Sequence, residues 1–294
     1  MTRSIQVLMV PMLPILGLLL FLLVLPAAIS GDLDRLVYCE LQIEWFLSLN
    51  TMFSKLPHQF WANVTLMGNA AVLLLISSPL LLYRARAWYA MIAAAPLAAV
   101  FSLVGKNMAL VPRPGAVLQS YEFTSIGGFL TAHNSLPSGH SITVFAGAIA
   151  AATMLTNEMT GFRRSLICSL FVTVAALVAL SRIAVGAHWP LDVWAGSALG
   201  WIAGMSGAYL VQRYHSSVSE LAALRASLGI AIVLLIAAAG IIDQAVDQPV
   251  ALSLQYYAGA IGILIGVLLL RKTMGERRRL RAIGVAGVPS ETRR

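Results

Sequence analysis

Charged residues are scarce in this chain of 294 residues, at 11% of the sequence, whereas a soluble domain contains about 25%. Cysteine is rarer still: Cys39 and Cys168 lie far apart and indicate neither a disulfide framework nor a thiolate metal site. No segment shows the alternation of polar and apolar residues that a membrane β-barrel requires. These scarcities argue against a water-soluble domain, a disulfide-stabilised protein and a barrel.

The sequence contains several long hydrophobic runs. Hydrophobic residues make up 59% of the chain, and a helix needs about 20 apolar residues to cross a membrane. We predict an all-α protein, a polytopic bundle of about eight transmembrane helices that forms a single membrane domain over residues 1–294. We expect a six-helix core to which the last two segments are additions. The apolar segments cover residues 6–29, 60–83, 88–111, 139–156, 165–185, 191–211, 226–243 and 252–270.

The end of the first segment, residues 26–31, loosely resembles a signal-peptide cleavage site. Its apolar stretch is long for a signal peptide, so we expect a retained helix. Cleavage would leave the rest of the topology unchanged.

The basic residues are distributed unevenly between the two sides of this layout. With the N-terminus inside, 15 of the 20 lysines and arginines fall in inner connectors or in the tail 271–294. The positive-inside rule therefore places both termini in the cytoplasm. The net charge of +8 then requires no nucleic-acid partner, and the tail is interpreted as a cytoplasmic anchor to anionic lipid. The basic residues that remain outside are Arg35, Lys55, Lys106, Arg113 and Arg182.

Three of these outer cations belong to short motifs that all end on the outer side of the bundle. Taken singly, each motif has an ordinary reading, either a snorkelling cation or a helix N-cap with an incidental histidine. Together they bring two guanidinium groups, an ammonium, two imidazoles and a carboxylate to the same depth. The motifs are Lys106-x6-Arg113-Pro114, Pro137-Ser138-Gly139-His140 and Ser181-Arg182-x5-His188-x3-Asp192.

The groups in these motifs suit an anionic phosphate ester. Arginine forks bind phosphate oxygens in pairs, and Ser138 is a good N-cap for a helix whose free N–H groups favour an anion. Pro190 suits the first position of the next helix, which puts Asp192 in its first turn. That spacing allows the carboxylate to bond one nitrogen of His188 and leave the other free to attack phosphorus. A competing interpretation is that Asp192 simply favours the helix N-terminus, and both can hold.

The three motifs, in this order across residues 106–192, resemble the signatures of the type-2 phosphatidic acid phosphatase superfamily. That family is also similar to vanadium haloperoxidases and bacterial non-specific acid phosphatases. The resemblance implies a phosphatase-like core in which His188 is the nucleophile, Asp192 orients it and His140 is the general acid. It also implies that no metal or other cofactor is required. The phosphate would be held by Lys106, Arg113, Ser138, Gly139 and Arg182.

The expected function is that of a metal-independent lipid phosphate or pyrophosphate phosphatase. The site would face the periplasmic or extracellular side of a bacterial inner membrane and act through a phosphohistidine. A lipid phosphotransferase could use the same residues. An anion transporter fits less well because the charges concentrate at one face, and the haloperoxidases are soluble. The partners expected are a lipid phosphate and the bilayer; the choice of lipid and the oligomeric state stay open.

Four further expectations concern structure. Residues 31–59 are predicted to lie as an amphipathic stretch on the outer interface, and Trp189 to be an interface aromatic. The loop 115–136 is either a lid or an interfacial loop with aromatic anchors, and its His133 is expected to face solvent. Small residues in the sixth segment, at Gly196, Gly200, Gly204 and Gly207, predict close helix packing.

Overall fold

A computed structural model describes residues 32–214, 220–247 and 252–286. The predicted first segment, 6–29, and the end of the basic tail lie outside the described residues. Within these ranges every regular element is a helix, which confirms the predicted all-α fold. The helices are α1 (Asp32–Glu40), α2 (Ile43–Phe53), α3 (His58–Leu66), α4 (Ala70–Ser77), α5 (Leu80–Tyr83), α6 (Ala85–Ala109), α7 (Pro114–Val117), α8 (Gly139–Leu155), α9 (Gly161–Ala184), α10 (Pro190–Tyr214), α11 (Glu220–Asp247) and α12 (Leu252–Ala286).

The chain is an integral membrane protein with several apolar spans. Among the described residues, four helical segments are long and apolar enough to cross a bilayer, and a bent pair makes a fifth if it is counted as one span. The count of eight spans stays a prediction, as does the cytoplasmic position of both termini. The four segments are Ala85–Val117, Gly161–Ala184, Ala226–Gln244 and Ser253–Glu276.

The second predicted segment, 60–83, is broken rather than continuous. The axes of α3 and α4 differ by 78° across a break of no more than four residues. Asn69 is extended and its side-chain oxygen accepts from Ala71 N at 2.9 Å and Val72 N at 3.3 Å, so it caps a new helix. Hydropathy follows total apolar content and does not detect a cap inside an apolar run.

The predicted glycine packing of the sixth segment is confirmed, and its partner is α8. A Cβ added at Gly196, Gly200 or Gly204 would lie within 3.0 Å of a backbone carbonyl oxygen of α8 or its N-cap residue. Gly207 meets α6 in the same way, at Ala90. The backbones of α10 and α8 are therefore in direct contact, which fixes the start of α8 beside the start of α10.

Residues 31–59 do more than lie on the interface, because α1 and α2 carry buried side chains. Phe46 packs edge-on against Trp189 at 5.2 Å and against Phe123 at 5.3 Å between ring centroids. Asn50 donates to Ile183 O at 3.0 Å and accepts from Thr124 N at 2.8 Å. This segment therefore fastens the end of α9 to the loop 118–136.

The prediction that Trp189 is an interface aromatic is wrong. The side chain is fully buried, and its Nε1 donates to Pro112 O at 2.8 Å. A buried indole needs such an acceptor for its N–H, and the backbone beside Arg113 supplies it. Trp189 thus ties the first motif to the third.

The last two helices form a separate apolar cluster with α4 and the start of α6. Val72, Leu75 and Trp88 are buried there against Leu234 of α11 and Ala258 of α12. The cluster around Trp189, by contrast, joins α1, α2, α8, α9 and α10. The functional residues lie at the second of these clusters.

Candidate active site

The three motifs meet at one end of the bundle through backbone contacts. Ser138 N donates to Asp192 O at 3.0 Å, and Arg113 Nη1 donates to Ala187 O at 3.3 Å. A Cβ added at Gly139 would lie 3.5 Å from Lys106 Nζ. His140, at the start of α8, interacts electrostatically with His188 and with the three cations. All eight predicted site residues are therefore brought together.

His188 lies in the connector between α9 and α10 and is 2% exposed. Its backbone N–H donates to Arg182 O at 3.3 Å, which ties the histidine to the end of α9. Burial lowers the pKa of His188 well below its usual range, and the charges of Arg113, Arg182 and Lys106 lower it further. The imidazole is therefore neutral near pH 7.

Asp192 is fully buried in the first turn of α10, where the sequence predicted it. Its Oδ1 accepts from Tyr38 Oη at 2.7 Å, and its Oδ2 accepts from Ser135 Oγ at 2.6 Å and Trp189 N at 2.9 Å. Oδ2 is 3.6 Å from His188 Nδ1, beyond hydrogen-bond range. The carboxylate lies beside the imidazole but is not bonded to it directly.

Sequence reasoning missed the two hydroxyls that bind this carboxylate. Ser135 stands two residues before Pro137, just outside the second motif, and a wider reading of that motif could have included it. Tyr38 is separated from Asp192 by 154 residues and belongs to no motif. Nothing in its local sequence pattern indicates that it reaches the site.

Arg182 is the most enclosed of the three cations, at 8% exposed. Its Nη1 donates to Thr65 Oγ1 at the end of α3, and its Nε is buried without a hydrogen-bond partner among the described residues. An unpaired buried guanidinium N–H is costly, and a phosphate oxygen is the acceptor it suits best. The other guanidinium, Arg113, is fixed by Asn134 Oδ1, which accepts from its Nε at 2.8 Å.

The start of α8 has the predicted N-cap. Ser138 Oγ accepts from Ser141 N at 3.4 Å and from Ser141 Oγ at 2.9 Å. Gly68, in the break between α3 and α4, approaches His140 so closely that a Cβ there would lie 2.9 Å from His140 Cβ. Thr65, at the end of α3, and Gly68, in the unpredicted break that follows, thus both reach the site.

An apolar groove of about 680 Å³ begins beside the site and runs between α4, α6 and α8. Its end near the site is lined by Ser102, Gly139 and His140, and its other end by Trp88. Ser102 and Trp88 are 14 positions apart on α6, which at about 1.5 Å per residue is roughly 21 Å. Among the residues that the structure describes, no aspartate, glutamate, lysine or arginine lines the groove along this length.

The loop 118–136 is partly anchored and partly exposed. Phe123 is buried against Phe46, and Ile126 N donates to Val185 O at 3.2 Å. Tyr121, by contrast, is 86% exposed, and His133 is exposed as expected. The choice between a lid and an anchoring loop stays a prediction.

Two imidazoles, three cations and a buried carboxylate, beside an apolar groove in a helical membrane bundle, define a membrane protein with an anion site. Residues 85–216, which contain all three motifs, match the PAP2 superfamily. The resemblance inferred from the motifs is therefore confirmed.

Several proteins of known name are similar over part of the chain. It is 42% identical over 73 residues to an undecaprenyl-diphosphatase of Sulfolobus acidocaldarius, which covers 24% of this chain and 32% of that protein. It is 37% identical over 90 residues to a lipid A 1-phosphatase of Porphyromonas gingivalis (31% of this chain, 19% of that protein). A lipid A 1-phosphatase of Rhizobium etli is 41% identical over 80 residues (27% and 30%). The chain thus spans about a third or less of the length of these relatives.

Two solved structures are also similar. The crystal structure of Aquifex aeolicus LpxE matches with a TM-score of 0.47 and 26% identity, over 59% of this chain and 96% of that one. A PAP2-type phosphatidylglycerolphosphate phosphatase from Bacillus subtilis matches with a TM-score of 0.48 and 18% identity, over 70% and 98%.

Proposed function

We propose that this protein is a lipid phosphate or pyrophosphate phosphatase that acts at the outer face of a bacterial inner membrane through a phosphohistidine. The observation that carries the proposal is the groove, which opens at His140 beside the three cations. A ligand held there would have its anionic group among the cations and its hydrocarbon tail between α4, α6 and α8. That combination describes a lipid phosphate and not a soluble phosphate ester.

The first chemical step is attack by His188 Nε2 on phosphorus. The N–P bond forms as the bond from phosphorus to the leaving oxygen breaks, and His140 donates a proton to that oxygen. The phosphate brings negative charge beside His140, which favours the protonated imidazolium that this role requires. The dephosphorylated lipid, or the lipid monophosphate from a diphosphate, then leaves.

The second step is hydrolysis of the phosphohistidine. A water attacks phosphorus, the P–N bond breaks, and His140 takes up the proton that the water loses. Inorganic phosphate is released and both histidines return to their starting states. In both steps Lys106, Arg113 and Arg182 face the equatorial oxygens of the phosphoryl group, where charge accumulates.

These three cations supply positive charge that metal ions supply in other phosphoryl-transfer sites. We therefore propose that catalysis needs no metal, and that phosphate release continues in excess EDTA. Gly139 and the free N–H groups at the start of α8 add donors to the same cradle.

The similar proteins support a lipid-linked substrate, since their names refer to undecaprenyl diphosphate and to the 1-phosphate of lipid A. Phosphatidic acid and phosphatidylglycerophosphate carry the same combination of phosphate and tail. These four lipids form the panel for the test. Purified protein is expected to release inorganic phosphate from at least one of them, and a His188→Ala variant from none.

Trapping of the intermediate checks the mechanism separately. Substrate labelled with ³²P should give an acid-labile, alkali-stable protein adduct in the wild type and none in His188→Ala. His133→Ala is the matched control, because that histidine is exposed, and it should behave as the wild type. Release of phosphate by His188→Ala at the wild-type rate would contradict the assignment, and a phosphorylated alcohol product would identify a phosphotransferase.

A further inference from the structure

The hydrogen-bond shell of Asp192 leaves no direct bond to His188. Oδ2 already accepts two short bonds, from Ser135 Oγ at 2.6 Å and from Trp189 N at 2.9 Å. His188 Nδ1 is 3.6 Å from that oxygen but 3.4 Å from Ser135 Oγ. The serine hydroxyl thus lies nearer to Nδ1 than the carboxylate does, and the Ser135 backbone also hydrogen-bonds His188.

The direction of each bond follows from the chemistry of a hydroxyl. It has one hydrogen and two lone pairs, and an ionised carboxylate can only accept. Because Ser135 donates its hydrogen to Asp192, only lone pairs remain to face His188. The contact with His188 is favourable only if Nδ1 carries a hydrogen, and the lone pair of the neutral imidazole is then on Nε2.

Tyr38 holds the other side of the carboxylate. Its hydroxyl donates to Oδ1 at 2.7 Å, so Asp192 presents Oδ2 towards Ser135. Gln42 fixes this arrangement: its Nε2 donates to Tyr38 O and its Oε1 accepts from Leu191 N, each at 2.8 Å. α1, which lies outside the matched region 85–216, is thereby tied to the first turn of α10.

We propose that Ser135 is a positioning residue that connects Asp192 to His188 and sets the histidine tautomer, with Tyr38 holding the carboxylate in place. The inference rests on the proposed function for its consequence, since a lone pair on Nε2 is what a nucleophilic His188 needs. The hydrogen-bond geometry itself involves no substrate.

The tautomer can be measured directly. Protein labelled with ¹⁵N at histidine, reconstituted in lipid bilayers at pH 8, is studied by solid-state NMR, and the His188 signals are assigned by their loss in His188→Gln. Wild type is expected to show a protonated Nδ1 and an unprotonated Nε2. Ser135→Ala should give a mixture of tautomers, whereas Ser135→Thr, which keeps a hydroxyl, should restore the wild-type signals.

Ser197→Ala is the matched control, because the Ser197 hydroxyl donates to the carbonyl of Val193 in its own helix, at 2.7 Å. Its His188 signals should be those of the wild type. Unchanged signals of the other four histidines show that Ser135→Ala has folded. The alanine variant keeps the Ser135 backbone and leaves Asp192 Oδ2 with one donor fewer. A single Nδ1–H tautomer in folded Ser135→Ala would therefore assign the tautomer to that backbone or to Asp192, and would overturn the proposal.

Kinetics provide the second readout. Ser135→Ala should lower kcat about 10- to 100-fold, the range for partners that orient a functional histidine, with little change in KM. Tyr38→Phe should lower kcat in the same direction, and Tyr209→Phe, at an exposed position, should not. If wild type released no phosphate but its tautomer depended on Ser135, the proposed function would fail and the connection would stand.

Discussion

At the scale of single residues, the pKa of His188 makes a prediction about pH. Burial and the charges of Arg113, Arg182 and Lys106 lower it, and in the proposed mechanism protonation of this nitrogen base abolishes attack on phosphorus. The acid limb of kcat/KM, which reports the free enzyme, should therefore lie on the acid side of the ordinary imidazole pKa of about 6.5.

Arg113→Gln tests the cause of that shift. Removal of a positive neighbour favours the protonated imidazole and raises the pKa of His188, so the acid limb should move to higher pH. The measurement is kcat/KM from pH 4.5 to 9 for both proteins. Arg163→Gln, at an exposed position in the first turn of α9, is the control and should leave the limb in place. If the acid limb of kcat/KM stays at the same pH in Arg113→Gln, the limb belongs to a group other than His188.

Residues close to the motifs could be predicted from the sequence, and distant partners could not. Ser138 and Pro190 occupy the N-cap and first helical positions that their residue types favour. The bonds of Tyr38 and Thr65, by contrast, cross 154 and 117 residues of chain. Contacts between residues so far apart in sequence depend on how whole helices pack, and a local sequence pattern does not predict that packing.

At the scale of helices, the contact between α8 and α10 determines the distance from His140 to His188. Gly200 stands where these two backbones meet, with Ile142 O in the space that a Cβ would fill. Gly200→Ala should therefore force the helices apart, lower the melting temperature and reduce kcat, because a shift of about 1 Å can cost 100-fold. Thermal unfolding and phosphate release in detergent check both effects.

Gly240→Ala on α11 is the matched control, since nothing lies within 4 Å of its added Cβ. Alanine exceeds glycine in helix propensity by about 1 kcal/mol, so this variant should be as stable as the wild type or more stable. Equal effects of the two substitutions would contradict the role of close packing.

The groove between α4, α6 and α8 makes a separate prediction about substrate length. Ala99 lines it and Val100, the next residue on α6, does not. Ala99→Trp should fill the groove and raise KM for a long-chain lipid phosphate, with little effect on a water-soluble short-chain analogue. Val100→Trp adds the same bulk outside the groove and should leave both KM values unchanged. If Ala99→Trp raised KM equally for the long-chain and the short-chain substrate, the groove would not be the site that binds the lipid tail.

The helices themselves were predictable to different degrees. α6, α9 and α10 are close to their predicted bounds, and α6 and α9 also belong to segments that are long and apolar enough to cross a bilayer. The break at Asn69 was not predicted, since a single polar residue hardly changes the hydropathy of a long apolar run. Thr65 and Gly68 reach the site on either side of the end of α3, where the chain bends, so the missed bend also explains the missed contacts.

At the scale of the whole molecule, the remaining question is which side of the membrane the site faces. α8 has 17 residues and is about 25 Å long, close to the thickness of the hydrocarbon core. The loop with Tyr121 precedes one end of this helix and the connector with Asn157 follows the other. The positive-inside count places Tyr121 outside and Asn157 in the cytoplasm.

Cysteine labelling tests this orientation. Cys168→Ala removes the more accessible native thiol; Cys39 can stay, because it is buried and its pKa is raised to about 12 by burial and by the charge of Asp192, which leaves almost no reactive thiolate. In spheroplasts a membrane-impermeant maleimide should then label Tyr121→Cys, which is 86% exposed in the native chain. Asn157→Cys, also at an exposed position, should be labelled only after the membrane is permeabilised. The opposite pattern would place His188 and the cations on the cytoplasmic side, and a phosphatase there would act on lipids of the inner leaflet.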